Sequence, residues 1–552
     1  MYAVFLMKIE NIQIESQNLD HLGLVSGMCD EIGLVDAIDN ACGQQAKNKH
    51  LTYGECVKCM ILNGLGFVGR TLYLYSEYFE DKPTDLLIGP SVSYQHIDDN
   101  ALGRTLDKLF EIGVTELYTK IALTVVKHLG IQVSSLHLDS TSFHVDGNYD
   151  SLLGQEEARI QIVPGYSRDH RPELNQVVLQ LITSNQGNIP LFMQAASGNS
   201  SDKSAFAEIV QQHLASFQSA VNNRYLVGDS ALYTPAALTA VVAAKGLFVT
   251  RVPMRISEAK DLICQTIPSE MISIGEGYFA KEESSSYSGI NQRWVVIFSE
   301  AAYQRECKTL NKNFQKGSEK EIKAFYKLSG EVFSCPHDAE KHLRKFVKES
   351  KYTDISKIEI KEVKKHPTTG RPKKGVVPST VGYQIVGEIV PSSDKKQALE
   401  RSKGFFILAT NDLDHQGFPA EAVLKTYKSQ QSVERGFRFL KSPDFLVSSL
   451  FLKKPERIEA LLMVMTLCLL VYSALEYKVR QKLRENGENF LDQLGKPTQN
   501  PTTRWVFFCF LGLHIVILNG TKRQVTNLKE RHRTILHCLG PPYQKFYYSE
   551  RW

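Results

Sequence analysis

The chain has 552 residues, 43% of them apolar and 23% charged, with a formal net charge of +5. That length is too great for one hydrophobic core and points to three or four folding units. The composition is that of an ordinary globular protein without internal repeats or low-complexity tracts, and so small a net charge identifies no partner by itself.

The charge distribution says more. Residues 301–374 hold 19 Lys+Arg against 10 Asp+Glu, an excess of +9, which leaves the remainder slightly acidic. This segment is a candidate phosphate-facing surface, with a solvated helical face as the plainer reading. Ten cysteines are scattered without a paired pattern, and no basic stretch followed by an adequate apolar run opens the chain. Secretion is therefore not expected, and a reducing cytoplasm fits. Cys56 and Cys59 form a lone CxxC inside a helical pattern and read as structural thiols. The apolar run from Ala460 to Leu475 falls short of the roughly 18 to 20 residues of a membrane span and reads as a buried helix. Gly512 and His514 interrupt the other long apolar run, Trp505 to Leu518.

In chain order, residues 1–130 read as an all-α N-terminal domain for DNA binding or dimerisation, with apolar residues at three- and four-residue spacing. The texture changes at Ile131. VSSLHLDSTSF is a short strand pattern ending near Asp139. NQVVLQLITSNQGNIPLFMQAASGN reads as a β-hairpin turning at SNQGN. A helix from Asp202 to Phe217 follows, then RYLVGDSALY, again an apolar strand ending in aspartate, then the helix TPAALTAVVAAKG and the strand LFVTRV. Residues 131–252 thus form the first half of an α/β unit. Residues 253–403 break the alternation with the strand RWVVIFS, a lysine-rich helical stretch and the loop KKHPTTGRPKKGVVPS, and are expected to be an α+β insertion. Residues 404–482 resume it with the strand GFFILATND, a helix from about Ala420 through Phe439, and the helices from Pro455 to Gln481. Residues 483–552 read as a C-terminal tail.

Asp139 and Asp229 both fall at the carboxyl ends of predicted strands, where α/β sheets place their ligands. Ser140 and Thr141, and Ser230 and Ala231, follow them and leave room for a hydrated cation. In YKSQQSVERGFRFLK the residues Tyr427, Gln430, Glu434, Arg438 and Lys441 recur at helical spacing and share a predicted face. Such a face suits a cation on one side and phosphates on the other; a solvated face with Glu434 and Arg438 paired is the equal alternative.

That segment resembles the Tyr-x2-Arg-x3-Glu-x6-Lys signature of the insertion sequence 4 group of bacterial DDE transposases, with Tyr427, Glu434 and Lys441 in matching places and Gln430 where the arginine belongs. The resemblance runs from about Val133 to Tyr472 through LDST, GYSRDHRPELNQVVLQL, GNIPLFMQAASGNSSDKS, VGDSALY and FFILATND. It implies a ribonuclease H-like catalytic domain split by an insertion, with Asp139, Asp229 and Glu434 as the metal-binding catalytic acids. Two Mg²⁺ ions, replaceable by Mn²⁺, suit hard carboxylate ligands, and such a pair about 3.5 to 4 Å apart serves phosphodiester chemistry. Asp139 would bridge, while Asp229 and Glu434 would each hold mainly one ion. The implied reaction is nicking at terminal inverted repeats and attack of the freed 3′-hydroxyl on target DNA. Relatives typically form a hairpin on the excised end, which spacing does not decide. The uncharged Gln430 would shift phosphate contact towards Lys428, Arg435 or Arg438. His137 and His144, flanking Asp139, are expected to pack or to contact DNA.

Binding duplex DNA requires cations that fix register on phosphates. The candidates are Tyr166, Arg168 and Arg171; Arg371, Lys373 and Lys374 of GRPKKG, similar to a minor-groove arm; Lys341, Arg344, Lys345 and Lys348; and Tyr427, Gln430, Arg438 and Lys441. Trp294 is read as core. The expected partners are the two element ends and the target, held by a homodimer on DNA in the cytoplasm, associated with the nucleoid and not with a membrane. The competing readings are a catalytically dead DNA-binding relic or regulator, another ribonuclease H-like nuclease, and a metal-dependent phosphatase with a compact basic pocket.

Overall fold

The computed structural model describes residues 13–43, 50–67, 74–145, 149, 160–166, 171–365, 377–442, 452, 454–520 and 522–548. It divides into two compact units: residues 1–250 with 425–552, and residues 251–424.

The first unit opens with a strand, β1 (Ile14–Asn18), and then helices α1 (Leu22–Glu31), α2 (Leu34–Cys42), α3 (Tyr53–Leu65), α4 (Asp99–Ile112) and α5 (Val114–His128). The chain itself sets where these helices begin. Thr52 and Glu55 form a capping box, with Glu55 N–H donating to Thr52 Oγ1 (3.1 Å) and Thr52 N–H to Glu55 Oε2 (2.8 Å). Asp98 accepts the Ala101 N–H at the start of α4. Cys56 and Cys59 are both buried in α3, and burial pushes the Cys56 thiol up to about 11 and raises that of Cys59 well above its ordinary value.

A mixed sheet follows, made of β2 (Ser135–His144), β3 (Asn175–Ser184), β4 (Pro190–Ser197), β5 (Tyr225–Gly228) and β6 (Leu247–Arg251). β2 pairs antiparallel with β3, which pairs with β4, and parallel with β5, which pairs parallel with β6. The β3–β4 turn carries Gly187 (φ +76°) and Asn188 (φ +54°), residue types that tolerate the left-handed region. Helix α6 (Asp202–Val221) packs on α7 (Pro235–Ala243), the crossover between β5 and β6. Thr234 caps α7 and Pro235 fills its first turn.

The second unit contains β7 (Ile272–Gly275), β8 (Tyr278–Tyr287), β9 (Ile290–Ser299), helices α8 (Glu300–Ser329) and α9 (Pro336–Glu349), the long ribbon β10 (Thr353–Lys365) with β11 (Ser379–Pro391), and β12 (Phe405–Thr410). β12 pairs antiparallel with β9, where Trp294 is buried as core. A separate small core of Phe325, Ala339, Leu343, Ile385 and Ile389 ties α8, α9 and the ribbon together.

The chain re-enters the first unit through α10 (Ala420–Lys428), then continues as α11 (Gln431–Leu440), α12 (Pro455–Asn486), α13 (Thr503–Phe510), β13 (His514–Leu518), β14 (Lys522–Thr526), α14 (Glu530–Leu539) and α15 (Pro541–Gln544). Helix α12, at 32 residues, is long and apolar enough to cross a membrane, but its most apolar stretch is 89% buried inside the protein, as befits a core helix. Asp107 of α4 takes two bonds from the Arg457 guanidinium on α12 (2.7 and 2.6 Å).

Two expectations are corrected here. Residues 483–552 are not a tail: β13 pairs antiparallel with β1 and β14. The Tyr543 and Tyr547 rings press on Gly27 and Gly23 of α1, where an added Cβ would come within 2.7 Å of each ring. Nor are the first 130 residues purely helical, since β1 finds its partner about 500 residues away. IESQN shows no apolar alternation, so nothing local marks it as a strand.

Candidate active site

The sheet register fixes the two aspartates. In the parallel pair β2–β5, Leu138 stands opposite Gly228, so the next residues on each strand, Asp139 and Asp229, lie abreast on chains about 4.8 Å apart. Asp139 is 7% exposed and Asp229 half-buried. Local donors orient both carboxylates: Ser140 N–H donates to Asp139 Oδ1 (2.8 Å) and Ala231 N–H to Asp229 Oδ1 (2.9 Å). Thr250 on β6 donates to the Asp229 carbonyl (2.7 Å) and anchors the turn that follows β5.

Alternation along β2 puts His137, Asp139, Thr141 and Phe143 on one face. That face meets α11. Ser429, just before the helix, lies with its hydroxyl 3.2 Å from His137 Nε2, and the Lys441 ammonium at its end stands 5.8 Å from the Phe143 ring centre. The helix therefore runs alongside the strand. Glu434 lies on α11 five residues past Ser429, and Asp139 on β2 two residues past His137. Gln430, Val433, Phe437 and Leu440 form the buried side of α11, while Glu434, Arg435 and Arg438 are exposed. No ion pair joins Glu434 to Arg438 among the described residues. The three carboxylates are not drawn into one cluster: among the described residues, no three His, Cys, Asp or Glu side chains are gathered closely enough to hold a metal ion. Like charges repel at such range, and an exposed Glu keeps its rotamer freedom.

The single face expected for Tyr427, Gln430, Glu434, Arg438 and Lys441 is corrected. Tyr427 lies on α10 and the others on or beside α11, because the helix breaks between them. Ser429 Oγ donates back to the Thr426 carbonyl (2.6 Å) and Gln430 N–H to the Tyr427 carbonyl (3.0 Å), tightening the turn and bending the chain. Gln430 is buried, and its Oε1 has no hydrogen-bond partner among the described residues.

His137 is fully buried, hydrogen-bonded through Nε2 to Ser135 and Ser429, and burial lowers its pKa to about 4. It joins strand to helix as a neutral ring. His144, half-buried, ends β2. Sequence reasoning missed Asp202, read only as a helix start. Its Oδ1 accepts the Ser140 hydroxyl (2.5 Å), which sets α6 on the side of β2 opposite α11, across the strand from Asp139. The signal was the hydroxyl directly after the strand's aspartate.

Of the other candidates, Tyr166 is 86% exposed and Arg171 pairs with Glu173. Arg168, Arg371, Lys373 and Lys374 lie outside the described residues. On α9, Lys341, Lys345 and Lys348 are exposed, and Arg344 pairs with Glu340 (2.7 Å).

The fold is mixed α/β, with Asp139 midway along β2 and not at the strand end its sequence pattern suggested, Asp229 just past the end of β5, and Glu434 on a flanking helix. Residues 136–471, more than half of the chain, match the family described as Transposase DDE domain. The chain belongs to that family and is in kind a DNA transposase. Residues 14–123 match a second family, described as Domain of unknown function (DUF4277). A comparison with proteins of curated function returned no match.

Proposed function

We propose that this transposase cuts DNA at terminal inverted repeats and joins the freed 3′ ends to target DNA, using a ribonuclease H-like domain in which Asp139, Asp229 and Glu434 bind divalent cations. Supporting this reading is the β2–β5 register, in which Leu138 stands opposite Gly228, the residues just before Asp139 and Asp229, together with the contacts of Ser429 with His137 and of Lys441 with Phe143 that lay α11 along β2. The donor set fits Mg²⁺, with Mn²⁺ able to substitute, because it consists of hard carboxylate oxygens with hydroxyl groups beside them. Asp139 would bridge, and Asp229 and Glu434 would each hold mainly one ion. When bound, such ions make the attacking oxygen more anionic and neutralise the leaving oxygen.

The chain's own residues set the geometry. β2 and β5 hold two carboxylates rigidly through backbone ladders, and Asp202 fixes the Ser140 hydroxyl on the far face. His137 and Ser429 dock α11 against the strand, and Glu434, on its exposed side, would turn inward to complete the site when ions bind. Arg435, Arg438 and Lys441 on and after the same helix would position phosphates, taking the part that Gln430 leaves vacant in the insertion sequence 4 signature. The element ends and target are double-stranded DNA, held by a homodimer on the nucleoid in the cytoplasm. Asp139→Asn, Asp229→Asn and Glu434→Gln should each abolish Mg²⁺-dependent cleavage of inverted-repeat DNA while leaving gel retardation intact. Cleavage persisting in all three would overturn the assignment.

A further inference from the structure

Helix α8 sorts its charges by face. At about 100° per residue, Arg305, Lys308, Lys312, Lys316, Lys320, Lys323 and Lys327 fall within a stripe about 120° wide, and all seven are exposed. The opposite side carries Phe314, Ser318 and Phe325, buried in the second unit. Of the helix's acids, two point inward to hold the unit together. Glu306 accepts the Gly404 N–H (3.2 Å), and Glu321 accepts the N–H groups of Lys351 (2.8 Å) and Tyr352 (3.1 Å) and the Thr353 hydroxyl (2.7 Å). Only Glu319 shares the stripe, where it accepts a bond from Gln315.

Lysines on the ribbon and just after it are treated differently, while Lys341, Lys345 and Lys348 on α9 share, among the described residues, the exposed, unpaired state of the stripe. On the ribbon, Lys357 pairs with Glu388, Lys361 with Glu359 and Lys364 with Glu362; after it, Lys395 pairs with Asp354 and Lys396 with Glu400. Among the described residues, none of the seven stripe cations has an ion pair. Like charges three and four residues apart repel along a helix, and a face that is merely solvated relieves this by interleaving acids, as the ribbon does. A stripe that keeps the repulsion is built to meet an external polyanion.

We propose that this stripe is a docking surface for the phosphate backbone of duplex DNA, an inference that rests on the transposase reading above. Its length, from Arg305 to Lys327, is about 33 Å at 1.5 Å per residue, close to the roughly 34 Å of one duplex turn. A straight cationic rod of that length meets phosphates without reading bases, and so supplies affinity and register but no sequence preference.

The test replaces Lys308, Lys312, Lys316 and Lys320 by Gln together in the full chain and measures binding to a 30-base-pair duplex of arbitrary sequence against salt. The slope of log K against log salt should fall in magnitude by about 3 to 4, at about 0.9 per phosphate contact, with affinity near 0.1 M salt down about tenfold or more. A control with Lys357, Lys361, Lys364 and Lys395 changed to Gln should keep the slope within about one unit. Should the fourfold variant fail to fold by circular dichroism, Lys316→Gln alone should reduce the slope by about one. An unchanged slope overturns the inference, and if the wild type still cuts inverted-repeat DNA in Mg²⁺, the transposase reading survives that failure. Loss of binding to phosphatidylserine vesicles with duplex binding untouched overturns it as well, in favour of a lipid-facing surface.

Discussion

Removing the Glu31 carboxylate should loosen the closure between the N- and C-terminal ends of the first unit. Glu31, the last residue of α1, receives Lys478 Nζ of α12 at 2.5 Å on both oxygens, the Tyr543 hydroxyl of α15 at 2.5 Å and His128 Nε2 of α5 at 3.2 Å. The Lys478 and Glu31 side chains are each only 12% exposed. In Glu31→Ala the Lys478 ammonium loses its counter-charge. A fully buried pair broken this way costs about 3–5 kcal/mol, and the residual exposure brings the expectation to the bottom of that range or just below it, about 2–3 kcal/mol. The buried Tyr543 hydroxyl loses its acceptor, about 1 kcal/mol or more. These terms are coupled, so a total near 3–4 kcal/mol is expected.

Because the protein has two units, one global melting temperature is ill-defined. The readout is therefore amide hydrogen exchange in α1, α12 and α15, whose opening free energy should fall by that amount while exchange in the ribbon of the second unit stays the same. Glu31→Ala combined with Lys478→Met should recover most of the loss, since no uncompensated charge remains. Burial pushes the Glu31 carboxyl up, but the bonds from Lys478 and Tyr543 outweigh it and hold the pKa below the usual carboxylate value. The stabilisation is thus present above the unfolded value near 4.3 and is lost as pH falls through the lower folded value. A change below about 1 kcal/mol in Glu31→Ala would refute the account.

Further outcomes follow from the same packing. His21 is buried against Phe507 with Nε2 2.8 Å from the Leu65 carbonyl, and burial outweighs the opposing pull of that carbonyl and of Asp20 to lower its pKa. Stability should be full above about 6.5 and fall as pH drops from there towards the folded value, a dependence that should flatten in His21→Gln when urea midpoints are compared at pH 8 and 5. Gly27→Ala should destabilise by about 1–3 kcal/mol despite the better helix propensity of alanine, because its Cβ would meet the Tyr543 ring at 2.7 Å; a stabilised variant in urea titration would contradict this. Lys441→Ala should weaken inverted-repeat binding and reduce the salt slope by about one, whereas an unchanged slope removes Lys441 from the DNA surface.

The sequence by itself determined the elements whose signals are local. The apolar runs of β2 and β5, the hairpin turning at Gly187 and Asn188, capped helix starts and the apolar α12 all follow from periodicity and turn chemistry, which act over a few residues. The strand expected to end at Asp139 nonetheless runs on to His144, because Ser140 to His144 find ladder partners on β3. The residue types also narrowed the chemistry to hard oxygen ligands. What tertiary structure alone decided is every relation between distant segments. No local pattern announces that Leu138 pairs with Gly228, that Asp202 meets Ser140, or that β1 closes on β13, where Gln13 N–H reaches Asn519 across 506 residues. Even the break between Tyr427 and Glu434 depended on Ser429 turning its hydroxyl back to the Thr426 carbonyl, a choice that competes evenly with helix in isolation. Register and packing belong to surfaces formed only when the chain has folded, so composition and spacing could name candidate acids but not decide how the strands and helix that carry them pair and pack.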